Sequence, residues 1–161
     1  MANVLIVYYS RSGNTRKMAE SIAAGIKNEA VEVDIRDVKD VTPADLKAFA
    51  AIVVGSPTYY GSMAADIKRL FDESIKVHGK LDGKVGAAFT SSANIGGGNE
   101  TTIMGIIEAM LIAGLVVQGD PKGDHYGPVS IGKPDERVHR QCKRRGQRIA
   151  ELTSKLADRQ S

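Results

Sequence analysis

Three short segments concentrate the side chains that could do chemistry. The first, Ser10-Arg11-Ser12-Gly13-Asn14-Thr15, sets hydroxyls and a glycine just ahead of a helical pattern. Backbone N–H groups at a helix start, with hydroxyls around them, form an anion site, and side chains this small suit a phosphate monoester. A polar turn with an ordinary helix cap has the same composition. The second segment, Ser56-Pro57-Thr58-Tyr59-Tyr60-Gly61-Ser62, opens on a stiff proline and offers two aromatic rings that something flat would cover. Either tyrosine could instead pack on a neighbouring helix. The third, Thr90-Ser91-Ser92-Ala93-Asn94-Ile95-Gly96-Gly97-Gly98-Asn99, lets bare backbone approach a ligand through consecutive glycines. A flexible connection is the plainer reading of it alone. Together the segments describe a phosphate cradle, an aromatic wall and a backbone-lined edge. A flat ring joined to a phosphate fits all three, and flavin mononucleotide (FMN) is such a molecule.

Other chemistries lack an essential group. No Gly-Lys-Ser/Thr follows the first segment, and Gly96 to Gly98 lacks the third glycine of a dinucleotide fingerprint. Gly127 to Gly132-Lys133 has triphosphate-loop spacing but ends in Pro134, which offers no hydroxyl to Mg²⁺. A phosphatase on such a scaffold needs a thiolate. Ser10 stands in that place relative to Arg16, Asp120-Pro121 imitates the acid-bearing loop, and the single cysteine, Cys142, lies far along the chain. A receiver domain needs an aspartate ending the third strand, where Gly55-Ser56 stands. One cysteine also argues against a disulfide or a cysteine-based zinc site, and no metal site is expected. His78 and His139 read as surface residues with no assigned role.

The elements that must position these segments are legible from apolar runs. Val4 to Tyr9, Ala51 to Val54 and Val85 to Phe89 are nearly continuous, as buried parallel strands should be. Val31 to Ile35 alternates, which suggests a strand near the sheet edge, and Leu115-Val116-Val117 is the shortest run. Between them lie helical stripes: Met18, Ile22 and Ile26; Ile67, Leu70, Phe71 and Ile75; Ile103, Ile106, Ile107, Met110 and Leu111; Ile149, Leu152 and Leu156. Thr42-Pro43 signals a further helix start. Alternating strands and helices in 161 residues, without internal repeats or a long linker, predict one α/β domain over 1–161, a parallel sheet covered on both faces. In such a sheet ligands bind beyond the carboxyl ends of the strands, where all three segments lie.

Composition sets the class. The chain is 42% hydrophobic and 25% charged, with a net charge of +3, ordinary values for a globular protein. No run is long enough to span a membrane, and the apolar start follows no basic leader, so no membrane insertion and a cytoplasmic location are expected. Arg137, Arg140, Lys143, Arg144, Arg145 and Arg148 cluster near the C-terminus. Without interleaved aromatics they read as a solvated helix face rather than a nucleic-acid footprint, and a docking face for an acidic protein is a third option.

The chain resembles the flavodoxin-like flavoproteins, specifically the WrbA type of FMN-dependent NAD(P)H:quinone reductases. The similarity runs from residue 3 to about 120 and resumes from Tyr126-Gly127 into the last helix. Its most specific marks are Tyr8-Tyr9-Ser10 with Gly13, Pro57-Thr58 with Gly61 and Met63, and Gly96-Gly97-Gly98 before Glu100-Thr101. The resemblance implies a three-layer fold with a five-stranded parallel sheet, order 2-1-3-4-5, and FMN as cofactor. Ser10, Arg11, Ser12, Gly13, Asn14 and Thr15 would then hold the phosphate. Pro57, Thr58, Tyr59, Tyr60 and Gly61 would line the ring, and Ser92, Ala93, Asn94, Ile95, Gly96 and Gly97 would wrap its pyrimidine side.

Two departures stand out. The family has a histidine pair, one of them beside the flavin, where this chain has Ile112-Ala113 before Gly114. The segment from Gly119 to His125 is also much shorter than in the family, where it contributes to subunit packing, so a homo-oligomer is left open. His125, beside Tyr126-Gly127, could approach the flavin in compensation. No catalytic residue is assigned, because the ring supplies the chemistry and the protein supplies geometry and electrostatics. Residues 90–99 contain no carboxylate to oppose an anionic reduced ring, which favours two-electron chemistry from NAD(P)H to a quinone. The alternative is an electron shuttle exchanging with acidic redox proteins.

Overall fold

A strand that is apolar on both faces belongs in the middle of a sheet, and β1 (Asn3–Tyr8) lies there. The computed structural model describes residues 2–27, 29 and 31–157. Successive strand side chains point to opposite faces. Val4, Ile6 and Tyr8 therefore join one buried cluster, and Leu5 and Val7 join the other. Around β1 stand β2 (Glu32–Asp37), β3 (Ala51–Pro57), β4 (Val85–Ser92) and β5 (Val116–Val117), all parallel in the order β2-β1-β3-β4-β5.

The fifth position of the sheet is filled twice. β5 pairs with the start of β4, Val85 opposite Val116, while β6 (Val129–Ile131) pairs with its end, Thr90 opposite Val129 and Ser92 opposite Ile131. Residues 118–128 loop out between the two pieces. The second piece escapes a search for apolar runs, since Ser130 interrupts it and Pro128 and Gly132 bound it. At the other edge β2 starts one residue later than Val31 and runs on to Asp37, with Val33 and Ile35 packed on the core.

Helices cover both faces. α1 (Asn14–Lys27) buries Met18, Ile22 and Ile26 on one face, and a later helix, Glu136–Ala157, adds Val138, Cys142 and Ile149. Gly25 and Gly146 let these two helices touch, because a Cβ at either would overlap the carbonyl oxygen of Lys143 or Ile22. Burying each large side chain here contributes roughly 1.5–3 kcal/mol. The short α2 (Pro43–Leu46) starts where Asp45 accepts hydrogen bonds from the Thr42 N–H and hydroxyl. α3 (Ala65–Glu73) and α4 (Asn99–Ile112) bury Ile67, Leu70, Ile103, Ile106 and Met110 against the opposite face.

Two expected members of the apolar stripes lie outside. Ile75 is 70% exposed because α3 gives way at Ser74 to a 3₁₀ turn, whose tighter pitch turns Val77 inward instead. Leu111, 57% exposed, sits in the last turn of α4.

The basic cluster of α5 (Glu136–Ala157) is not a bare solvated face. Arg144 binds the Asp120 carboxylate through Nε and Nη2, at 2.8 and 2.9 Å. Arg145 is buried and donates to the carbonyls of Gln118, Asp124 and His125 at 2.7, 3.3 and 3.4 Å. Arg148 donates to Gly119 O at 2.8 Å, and Arg137 binds Asp124 and Val129 O. A loop rich in outward carbonyls needs donors, and a guanidinium presents five in a planar fork. Arg140 and Lys143 remain exposed.

Candidate cofactor site

The carboxyl ends of β1, β3 and β4 deliver the three segments to one end of the sheet. After β1 the chain turns at Ser10, whose Oγ accepts from Gly13 N at 3.0 Å and Arg16 N at 3.4 Å. Gly13 takes φ +91°, and a Cβ there would point into open space. Among the described residues, no acceptor meets the N–H groups of Arg11, Ser12, Asn14 and Thr15. Four unpartnered donors thus stand at the start of a 14-residue helix with the exposed Arg11 beside them, a donor set whose chemistry suits an anion. The Thr15 side chain is buried, with Oγ1 2.9 Å from Ser91 Oγ.

After β3, Tyr59 and Ser62 exchange two backbone hydrogen bonds of 2.8 and 3.1 Å around Tyr60-Gly61. Both central residues have positive φ, +49° and +74°, so this is a type I′ turn. Its geometry throws the Tyr60 ring wholly into solvent. Tyr59 is held at its edge by Tyr9, with centroids 6.2 Å apart and planes at 78°. Burial pushes the Tyr59 phenol up, with Tyr9 adding to the shift and the Arg11 charge opposing it.

After β4, Ser92 Oγ donates to Asn94 O at 3.0 Å and receives the Asn99 amide, whose Oδ1 accepts from Gly96 N at 3.2 Å. Asn99 is buried, so one side chain braces the whole glycine loop. The N–H groups of Ala93, Asn94, Ile95 and Gly97 meet no acceptor among the described residues, and Ile95 is 85% exposed. Such a row of bare N–H groups and carbonyls suits the edge of a heteroaromatic ring.

Cross-links hold the segments together. Thr58 N donates to Ser91 O at 2.7 Å, and Thr58 Oγ1 lies 2.9 Å from Thr90 Oγ1. Thr90 donates its only hydroxyl hydrogen to Ser56 O at 2.6 Å, so Thr58 is the donor to Thr90. Thr101 Oγ1 donates to Gly61 O at 2.8 Å, and a Cβ on Gly98, at φ +103°, would overlap Gly61 Cα. Pro57, half-buried, ends β3 between these contacts.

His125 and Tyr126 line a cavity of about 780 Å³ together with Ile95, Gly96 and Gly98 to Thr101. It meets the third segment, and its lining does not include the first two. Tyr9, Thr90, Ser91, Asn99 and Thr101 brace the segments, and all but Asn99 do so through contacts between separate segments that composition does not show. Asn99 had a signal: an amide just before a helical stripe.

The sequence pattern of the flavodoxin domain matches residues 5–99. The chain belongs to the flavodoxin family. A flavodoxin of Aquifex aeolicus is 38% identical over 167 residues, covering 98% of this chain and 90% of the relative. An NAD(P)H dehydrogenase (quinone) of Gluconacetobacter diazotrophicus is 32% identical over 198 residues, covering 98% of this chain and all of the relative. A WrbA-like flavodoxin from Agrobacterium tumefaciens superposes with a TM-score of 0.81 at 25% identity, over 96% of this chain and 99% of that one. The quinone-dehydrogenase alignment spans 198 residues against a chain of 161, so that flavodoxin-family relative has length this one lacks.

The family's cofactor is FMN, and the donor set of this chain fits it. Unpartnered N–H groups gather at the start of α1, two tyrosines and bare loop backbone follow β3 and β4, and a Cβ at Gly13 would meet open space, a set that suits a phosphate joined to a flat ring. No helix among the described residues is long and apolar enough to cross a membrane.

Proposed function

We propose that the protein is an FMN-dependent oxidoreductase that carries two electrons from NAD(P)H to a quinone. Bound FMN supplies the redox chemistry; the chain's residues hold, orient and tune it. Ser10 to Thr15 seat the phosphate through the bare N–H groups, with Arg11 adding charge. Pro57 to Gly61 form the ring wall, where the Tyr59–Tyr9 edge contact fixes one ring and leaves Tyr60 to cover the cofactor. Ser92 to Gly97 meet the pyrimidine edge.

The observation that carries the reading is the neutrality of the third loop. Thr90 to Asn99 offers only hydroxyls, amides and backbone, so negative charge gained by the ring meets donors instead of carboxylates. Such a loop would favour use of the bound cofactor for two electrons over one. The full-length likeness to NAD(P)H dehydrogenases (quinone) supports the same reading.

A shuttle between protein partners is the second reading, favoured by the 38% identity to the Aquifex flavodoxin. Its docking face would be the basic side of α5, yet four of the six basic residues there grip the chain's own loop. The test is direct: purified FMN-loaded protein with NADH or NADPH and a soluble quinone. Turnover without added protein supports the oxidoreductase. No turnover, with salt-sensitive electron exchange with an acidic redox protein, overturns it in favour of the shuttle.

A further inference from the structure

The cavity beside His125 is lined by the third segment and by residues 124–131, and not by residues of the first two segments. Its volume of about 780 Å³ falls within the range of small-molecule sites. Its lining comes from two stretches, Ile95 to Ile103 and Asp124 to Ile131, with Arg137. We propose that this cavity binds a flat, uncharged hydroxyarene, the class of molecule produced when a quinone takes up two electrons and two protons.

The lining selects shape first. Ile95, Tyr126 and Ile131 are 85%, 49% and 44% exposed, three large apolar surfaces left uncovered around one hollow. Val129 and the buried Ile103 continue the apolar lining. An aromatic ring would cover this surface.

Charge selects next. Arg137 is the cation in the lining, and its guanidinium already binds Asp124 Oδ1 at 2.8 Å and Val129 O at 2.9 Å. Glu100, exposed in the first turn of α4, adds a carboxylate to the same lining. An anionic ligand would meet Glu100 and an arginine that is already paired, so a neutral ligand is preferred.

Hydrogen bonding selects the substituent. His125 Nδ1 lies 2.7 Å from Asp120 O, a carbonyl that can only accept. Nδ1 therefore carries the hydrogen, and in the neutral ring Nε2 is a lone-pair acceptor. A ligand hydroxyl can donate to it, whereas a bare quinone carbonyl cannot.

The site is built in advance. Asp120 is gripped by Arg144, and the His125 carbonyl accepts from the buried Arg145. Gly127 is pressed so closely onto β4 that a Cβ would overlap Ala88 O. The stretch that carries His125 and Tyr126 is thus tied both to α5 and to the sheet.

The inference rests on the proposed function only for the ligand's place as product, so its test uses neither NAD(P)H nor a quinone. Equilibrium dialysis of the FMN-loaded protein against 2-naphthol, naphthalene and 2-naphthoate is expected to rank them in that order. 2-Naphthol should bind about tenfold more tightly than either of the others, the scale of one hydrogen bond or one adverse charge. His125→Phe should remove the preference for 2-naphthol over naphthalene, and Ile131→Arg should weaken both by tenfold or more. The visible spectrum of bound FMN reports that each variant is folded, and His125→Phe carries the test if Ile131→Arg does not fold. Equal affinity for the three probes, binding unaltered by the folded variants, or 2-naphthol binding only after FMN is removed would each overturn the proposal. Binding as expected in a protein without NAD(P)H–quinone turnover would leave this site standing and reject the proposed reaction instead.

Discussion

The Arg144 guanidinium meets the Asp120 carboxylate in parallel, Nε to Oδ2 at 2.8 Å and Nη2 to Oδ1 at 2.9 Å, at a carboxylate only 5% exposed. This two-point contact outweighs the cost of burial and, with the Lys122 N–H at 2.9 Å, holds the Asp120 carboxyl at about 2, below its ordinary 3.8. A carboxyl lowered on folding stabilises the fold above its unfolded value and loses that contribution as pH falls through the folded one. Asp120→Asn should therefore cost about 1 kcal/mol at pH 7, after allowance for solvent screening. In urea titrations the gap between variant and parent should close as pH falls from about 4 toward 2. An equal gap at both ends would assign the loss to packing.

Ser10 Oγ accepts from Gly13 N and Arg16 N, which fixes the turn of the proposed phosphate seat. Ser10→Ala removes that acceptor and loosens the turn, costing about 1 kcal/mol, as loss of a helix cap does. FMN affinity should drop roughly five- to tenfold. Riboflavin, which lacks the phosphate, should lose little. Fluorescence titration of both flavins separates the cases, and a parallel loss would place the effect at the ring.

Tyr60 holds a left-handed conformation at φ +49° with its ring in solvent. Such a residue persists at a cost of roughly 1 kcal/mol. Tyr60→Gly should leave the FMN-free protein as stable or up to about 1 kcal/mol more stable, because turn relief is partly offset by unfolded-state entropy. FMN should bind more weakly. Unchanged affinity in the same titration would show that Tyr60 does not cover the ring.

Cys142 is buried in α5, and desolvation pushes its thiol up to about 12. The native protein should resist thiol-disulfide reagents at pH 8 and react with one equivalent once unfolded in guanidinium. Rapid labelling of the folded protein would contradict the packing of α1 on α5.

The three strand-end segments were legible because their punctuation is local. Ser10 to Gly13, Pro57 to Gly61 and the segment with the glycines at 96–98 each come after an apolar run, and alternation with helices gives a parallel sheet, whereas the strand order came from the family resemblance. What escaped depends on partners distant in sequence. Arg145 looks like any helix arginine until residues 118–125 fold over it and remove it from water. Ile75 fits a helical stripe until the helix tightens after Glu73. His125 next to Tyr126-Gly127 suggested a contact with the flavin; the hold of Arg145 of α5 on its carbonyl comes from 20 residues further on and shows only in the fold.

The divided fifth strand also has a consequence for the molecule's behaviour in concentrated solution. An outermost strand with a long run of free amides and carbonyls invites a second sheet to zip onto it. Here that border offers two residues at Val116–Val117 and three at Val129–Ile131, with an arginine-bound loop bulging between them. No incoming strand could find a continuous ladder there, so this flank resists runaway stacking even though its side chains are largely apolar.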